Sequence, residues 1–359
     1  AMNKEKILIT SPSLKTDENV SGISSVTNFI INNNPVQQYQ HFELGRKDNE
    51  SRNLVWVFSN LKKMASWMYI TTFKKIGLIH FNLALSKASI IRDAPLILYA
   101  KMINKKMVIH LHGGDFLTKE KIPGWVRVIL KRIFSGKTQI IVLGNVEGEL
   151  VKKKYNASQV KILPNCVDLI ESALYKRNFE ENKNIRLLFL GRITAEKGLD
   201  FIVDALQNLK ENVSFKFIMA GTGPAEKMYV EKFTKILGGS FEFKGIVFGE
   251  EKSNLYKTCN IFLLPSLFEG LPMSLLESMS FGVVPIVTPV GSMKDVVSNN
   301  QNGIIVKDNP ATEITNAVSL LAANRVLLQK LSENAAGYIK KHYNPENYIT
   351  ELNRIYTAA

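Results

Sequence analysis

Short apolar runs alternate with longer amphipathic stretches along the whole 359-residue chain. Lys6-Ile7-Leu8-Ile9-Thr10 is the first run, and Gly77–Phe81, Met107–His112, Gln139–Leu143 and Val160–Leu163 are the next strand candidates. Short, nearly continuous apolar runs suit strands buried on both faces of a parallel sheet. A helix is expected from about Gly22 to Asn32. The alternation restarts at Ile185–Leu190 and continues through Phe215–Ala220, Phe241–Lys244, Ile261–Leu264, Val284–Thr288 and Gly303–Val306. Leu199, Ile202, Val203, Leu206 and Leu209 mark one face of a helix in this half. The expected fold class is α/β: two doubly wound, Rossmann-like domains, residues 1–166 and 167–342, facing each other across a cleft. A polar stretch from Pro164 to about Asn184 reads as a linker. Pro345 breaks the helical tail, and residues 343–359 are expected to form a terminal helix that crosses back onto the first domain.

The length accommodates two domains, each with its own core. No apolar run approaches the roughly 20 residues of a membrane-spanning helix. The start leads almost directly into a strand, so no secretory signal is expected ahead of the fold. Two cysteines, Cys166 and Cys259, argue against a disulfide scaffold and a cysteine-rich metal site. A cytoplasmic protein is the expectation. The net charge of +14 is unevenly placed: 25 Lys+Arg against 11 Asp+Glu lie in residues 1–166, while 21 of each sign cancel in the remainder. The excess therefore points to an anionic partner of the first half alone.

The candidate chemistry concentrates after the strand Ile261–Leu264. Pro265-Ser266 ends it, Glu269 lies on the following loop, and Met273 to Phe281 has helical spacing that carries Glu277. Loops after strands in open α/β sheets are where ligands bind, and a helix start offers N–H groups to a phosphate. Glu277 can accept hydrogen bonds from a pair of sugar hydroxyls, so the stretch suits a nucleotide-sugar. A second signal is Gly191-Arg192-Ile193-Thr194-Ala195-Glu196-Lys197-Gly198, between a strand and a helix. One guanidinium fork and one mobile ammonium on such a loop can share a diphosphate.

With Arg192, Lys197, Glu269 and Glu277 in place, the chain resembles the retaining nucleotide-sugar glycosyltransferases of family 4, which have the GT-B fold. The resemblance extends over nearly the whole chain. It includes Pro164-Asn165-Cys166-Val167-Asp168, with cysteine where the family usually has glycine, and also Gly221-Thr222-Gly223-Pro224 and Asn302-Gly303. By that resemblance Arg192 and Lys197 hold the donor diphosphate and Glu277 the ribose hydroxyls. Glu269 then contacts the transferred sugar, and the backbone from Gly270 through Leu271 to Ser274 completes the donor pocket. The base rests against Gly245-Ile246-Val247. The first domain supplies the acceptor side. His112, in the family's H-x-H-G pattern, faces the transferred sugar; Asp115 and Gly22 are further candidates there. Gly22 would start the first helix, where the family often has two glycines and this chain has Ser21-Gly22.

No Asp-x-Asp occurs in the sequence, so the loop cations are expected to replace a metal, and no cofactor is expected. The resemblance implies retention by front-face attack through a short-lived oxocarbenium-like pair. Electrostatic preorganisation around the leaving diphosphate would carry most of the acceleration. The expected donor is a UDP-sugar, with a GDP-sugar next. The expected acceptor is a glycan or a polyprenyl-diphosphate-linked glycan in bacterial surface polysaccharide synthesis.

Trp56 to Lys75 and Lys119 to Lys137 mix cations with aromatic and apolar residues at helical spacing. Such segments suit an anionic bilayer surface, and equally suit ordinary helices with solvated charges. The one-sided charge favours peripheral contact with the inner face of the cell membrane. Three other readings stay open. One is a nucleotide-sugar epimerase on the same scaffold; another is a non-enzymatic polyanion binder, although no nucleic-acid motif accompanies the charge. The third, an oxidoreductase, lacks G-x-G-x-x-G after the first strand.

Overall fold

Two parallel sheets, each of six strands, organise the computed structural model, which describes residues 5–15, 18–19, 21–45, 54–119, 121–179 and 184–359. The first contains β1 (Lys6–Ser11), β2 (Tyr39–Glu43), β3 (Ile76–Leu83), β4 (Met107–Leu111), β5 (Gln139–Val142) and β6 (Val160–Ile162), in the order β2-β1-β3-β4-β5-β6. The second contains β7 (Ile185–Leu190), β8 (Phe215–Ala220), β9 (Phe241–Gly245), β10 (Ile261–Leu264), β11 (Val284–Val287) and β12 (Ile304–Ile305), in the order β12-β11-β10-β7-β8-β9. Both are doubly wound. The direction of winding reverses between β1 and β3 in one sheet and between β7 and β10 in the other, and these switch points open crevices at the carboxyl ends of the strands.

The chain divides into two compact units, Ala1–Asn165 with Glu346–Ala359, and Cys166–Pro345. In the first unit the sheet has two unlike faces, because successive side chains of a strand point oppositely. Ile79, Phe81, Ile109 and Leu111 join a buried apolar cluster with Trp67, Ile97, Leu130 and Phe134 from helices. The Trp67 indole N–H donates to the Leu96 carbonyl at 3.1 Å, so its one polar atom is satisfied. The opposite face carries His80, Asn82, His110 and His112. The helix Pro345–Ala358 lies on this polar face: the Tyr356 hydroxyl is 2.6 Å from His80 Nδ1, and Asn353 exchanges hydrogen bonds with Asn34 at 3.0 and 3.1 Å.

Two features depart from the sequence reading. β2 has no counterpart among the expected strands, because it is an edge strand with Phe42 as its one buried residue. The stretch after Pro164 is not a free linker. It contains a helix, Ile170–Leu174, and Tyr175 and Arg177 dock on the second unit. Arg177 donates to the carbonyls of Tyr256 (2.7 Å), Cys259 (2.6 Å) and Phe281 (3.1 Å). Helix ends leave such carbonyls unpaired, and a guanidinium satisfies them without any periodic signature in the sequence.

The polar face makes the first unit acid-sensitive. Burial lowers the pKa of His80 to about 3 and depresses those of His110 and His41. The folded state thus binds fewer protons than the unfolded state once the pH drops below about 6.5. Stability is complete above that pH and falls beneath it, by up to about 1.4 kcal/mol per pH unit for each buried histidine. Thermal unfolding between pH 7.5 and 5, where carboxylates stay ionised, should show a falling midpoint; a flat midpoint would contradict neutral buried histidines.

Candidate functional site

The second unit brings two loops together at its switch point. The loop from Gly191 to Gly198 leaves β7, and the loop from Pro265 to Pro272 leaves its neighbour β10. The Leu267 N–H donates to the Glu196 carbonyl at 2.8 Å. Gly198 has φ +72°, and a Cβ there would lie 1.9 Å from the Pro265 carbonyl oxygen. Only glycine lets the loops approach this closely. On the far side, Gly291 has φ +54°, its Cβ position is 2.0 Å from the Glu269 carbonyl oxygen, and Ser292 N–H donates to Gly270 at 3.0 Å. The backbone at Glu269-Gly270 is therefore clamped between two turns. A third turn supports the first loop, since Ile193 N–H donates to the Thr222 carbonyl at 2.9 Å.

This packing joins Lys197 to Glu269 in an ion pair, with side-chain exposures of 21% and 12%. Ser266 Oγ lies 3.4 Å from the same Glu269 oxygen. A partly desolvated pair of this kind binds more firmly than a surface pair, while each charge alone would be costly there. Arg192 is exposed and makes no ion pair among the described residues. One loop cation is thus held by the loop acid and the other faces solvent.

Glu277 sits in the helix Met273–Ser280 and is held by two side chains of a neighbouring helix. Its Oε1 accepts from Lys252 Nζ and its Oε2 from the Tyr256 hydroxyl, both at 2.8 Å. Burial, together with the Glu277 charge, pushes the Tyr256 pKa well above its usual value, so the hydroxyl stays a donor. Lys252 and Tyr256 share one face of the helix Gly249–Thr258, four positions apart. Arg177 fastens the C-terminal ends of this helix and of the one carrying Glu277. Lys252, Tyr256 and Arg177 were absent from the sequence reading; the i, i+4 spacing on a helix was the one signal available.

The remaining candidates of this unit line the same carboxyl edge of the sheet. Val247 is buried just beyond β9, Leu271 is buried, and Gly270 and Ser274 are half-buried. Met273 and Ser274 open their helix, where first-turn N–H groups have no intrahelical acceptor.

In the first unit, His112 follows β4 and is half-buried. Its Nε2 lies 2.6 Å from Asn82 Oδ1, and the His110 ring lies against it at a centroid distance of 4.2 Å. Desolvation, with the nearby His80, lowers its pKa to about 3. The loop behind it is stapled by Lys154 Nζ to the Leu117 and Lys119 carbonyls (2.6 and 2.9 Å) and by the Tyr155 hydroxyl to Phe116 (2.5 Å). Asp115 is exposed and paired with Lys119 at 2.7 Å. Gly22 begins the helix Gly22–Asn33, capped by Ser21, and has open space where a Cβ would stand. The fold itself does not require glycine there. No group of three or more His, Cys, Asp or Glu side chains is placed to hold a metal among the described residues.

Residues 170–338 match the model of the family described as glycosyl transferases group 1. An uncharacterized glycosyltransferase of Methanocaldococcus jannaschii is 26% identical over 317 residues, 83% of this chain and 79% of the relative. The UDP-Gal:alpha-D-GlcNAc-diphosphoundecaprenol alpha-1,3-galactosyltransferase of Escherichia coli is 25% identical, over 84% of this chain and 80% of its own. Among solved structures, sucrose-phosphate synthase from Thermosynechococcus elongatus aligns with a TM-score of 0.80 at 16% identity, covering 99% of this chain and 98% of that one. The two doubly wound sheets are those of the GT-B fold, and within the second unit residues 170–338 carry the match to the glycosyl transferases group 1.

Proposed function

We propose that this glycosyltransferase moves a sugar from a UDP-sugar, with its anomeric configuration retained and without a metal, onto a glycan or polyprenyl-diphosphate-linked glycan. The observation that carries this reading is the convergence of the β7 and β10 loops on the Lys197–Glu269 pair. In this reading the donor separates that pair: Lys197 turns to the diphosphate, joined by Arg192, and Glu269 accepts hydrogen bonds from the transferred sugar. Glu277, already oriented by Lys252 and Tyr256, takes the ribose hydroxyls on its remaining lone pairs. Gly270, Leu271 and Ser274 offer backbone groups to the phosphates, and Val247 meets the base. His112 meets the sugar, and Asp115 and Gly22 are further candidates on the acceptor side.

The bond from the anomeric carbon to the phosphate oxygen breaks as the acceptor hydroxyl adds to the same face. The hydroxyl proton passes to the departing phosphate. Fixed cations at that phosphate stabilise charge that grows in the transition state, which is where stabilisation accelerates a reaction. The UDP and lipid-diphosphate assignments draw support from the name of the Escherichia coli relative. Incubation with UDP-sugars and a polyprenyl-diphosphate-linked acceptor should yield an α-linked product from an α-linked donor, undiminished by EDTA. Inverted product, or loss of turnover on chelation, would contradict the mechanism.

Ribose recognition has its own test. A lost partner to a charged hydrogen-bond group costs about 1.5–3 kcal/mol, so UDP should bind about tenfold or more tighter than 2′-deoxy-UDP. Glu277→Ala should nearly abolish that difference; a difference that persists would remove Glu277 from the ribose.

The basic first unit is proposed to rest on the inner face of the cell membrane, which makes the enzyme cytoplasmic and peripheral. The helix Leu54–Phe73 turns Trp67 and Thr71 into the core and leaves Phe58, Leu61, Tyr69 and Phe73 exposed beside Lys62, Lys74 and Lys75. Trp125 and Val128 are exposed on the helix Gly124–Phe134, which also carries Lys131 and Arg132. No helix among the described residues is long and apolar enough to cross a membrane. Basic residues near an anionic surface contribute about 1 kcal/mol each. Co-sedimentation with vesicles should rise with anionic lipid and fall with salt, whereas binding independent of anionic lipid would count against this placement.

A further inference from the structure

The hydrogen bonds around His112 leave no freedom in where the protons lie. Asn82, on β3, donates from its amide nitrogen to the Thr10 carbonyl at 2.6 Å and to Thr27 Oγ1 at 3.1 Å. The Thr27 hydroxyl gives its own proton to the Ile23 carbonyl at 2.8 Å, so its oxygen accepts from Asn82. The Asn82 backbone N–H donates to Thr10 Oγ1 at 3.0 Å. Both protons of the amide nitrogen are thereby committed, and Asn82 Oδ1 is turned to His112 Nε2 at 2.6 Å. A carboxamide oxygen has no proton to give, so His112 Nε2 must carry one. A neutral imidazole holds a single N–H, which leaves Nδ1 as an acceptor.

We propose that Asn82 is a positioning residue that locks His112 as the Nε2–H tautomer, so that Nδ1 accepts a hydrogen bond from a hydroxyl of the transferred sugar. This rests on the reading that His112 meets that sugar. Asn82 and its partners are buried, and burying so polar a group is costly unless each of its bonds is made. Thr10 from β1, Thr27 from the helix Gly22–Asn33 and Asn82 from β3 together supply that complement. The titratable groups facing His112 are His110, whose ring lies against it, and His80. Tyr356 of the terminal helix and His110 both bond to His80, at 2.6 and 3.3 Å. Lowered pKa values for all three histidines keep the layer neutral, so the tautomer is set by hydrogen bonds and not by charge.

Nitrogen-15 NMR of the full chain with labelled histidine reads the tautomer directly. Wild-type His112 should show a protonated Nε2 and a bare Nδ1, unchanged from pH 8 to 6. A proton on Nδ1, or titration in that range, would overturn the proposal without any variant being made. Asn82→Asp places a carboxylate against Nε2 and should bring the His112 titration into the range pH 5–8. Below that new pKa, kcat should fall about tenfold per pH unit while the KM for donor changes less. A folded Asn82→Asp enzyme with the wild-type pH profile would also overturn it. If the tautomer is as stated but His112→Ala transfers sugar at the wild-type rate, the role of His112 fails while the hold of Asn82 on its ring stands.

Discussion

Neighbouring strands whose connections run to opposite sides of the sheet are the constraint on which this site depends. β7 and β10 pair directly, yet the chain reaches β10 only after winding out through β8 and β9. Parallel pairing puts both carboxyl ends at one edge, and the opposed winding keeps helices from filling the gap between the departing loops. Whatever those loops carry must then meet. Here they carry an ammonium and a carboxylate, and the pair that forms is half-withdrawn from water. Glycines at 198 and 291 make the meeting close by removing side chains that would collide with the opposing backbone.

The first unit solves a different problem with the same architecture. One face of its sheet is a conventional apolar layer around Trp67. The other buries three polar strand residues, His80, Asn82 and His110, and buried polar groups are tolerable where they find partners. The terminal helix supplies part of this through Tyr356, which bonds to His80, so it completes a layer begun by β3 and β4. The His110 Nε2 is left without a partner in this layer. The arrangement trades stability at low pH for a rigid, directional hydrogen-bond lattice beneath His112.

Much of this was legible in the sequence. Strands buried on both faces announce themselves as apolar runs, so β7, β8 and β10 fall where periodicity places them. The loop glycines and the charged residues between them carry signals at fixed spacing, which is why Arg192, Lys197, Glu269 and Glu277 stood out. The edge strand β2, with Phe42 as its one buried residue, carries no such pattern. Residues that act through partners distant in sequence were invisible for a plainer reason. Lys252 and Tyr256 bind an acid more than 20 positions away, Arg177 reaches carbonyls about 80 and 104 positions away, and Asn82 meets His112 across 30. His80 and Asn82 do interrupt an apolar run at period two, a trace of the polar face that means little until β4 is placed beside β3. At Gly22 the geometry shows open space where a Cβ would stand, and at Asp115 an exposed ion pair with Lys119.

The loop cations bear the weight of the functional assignment, and equilibrium binding of UDP to the wild-type chain and to Lys197→Ala tests them most directly. A charge-assisted contact to a diphosphate is worth about 1.5–3 kcal/mol, so affinity should fall by about tenfold or more, with the loss shrinking as salt screens the wild-type attraction. Equal affinity of the two proteins for UDP, with both folded, would contradict a diphosphate held at the β7–β10 switch point.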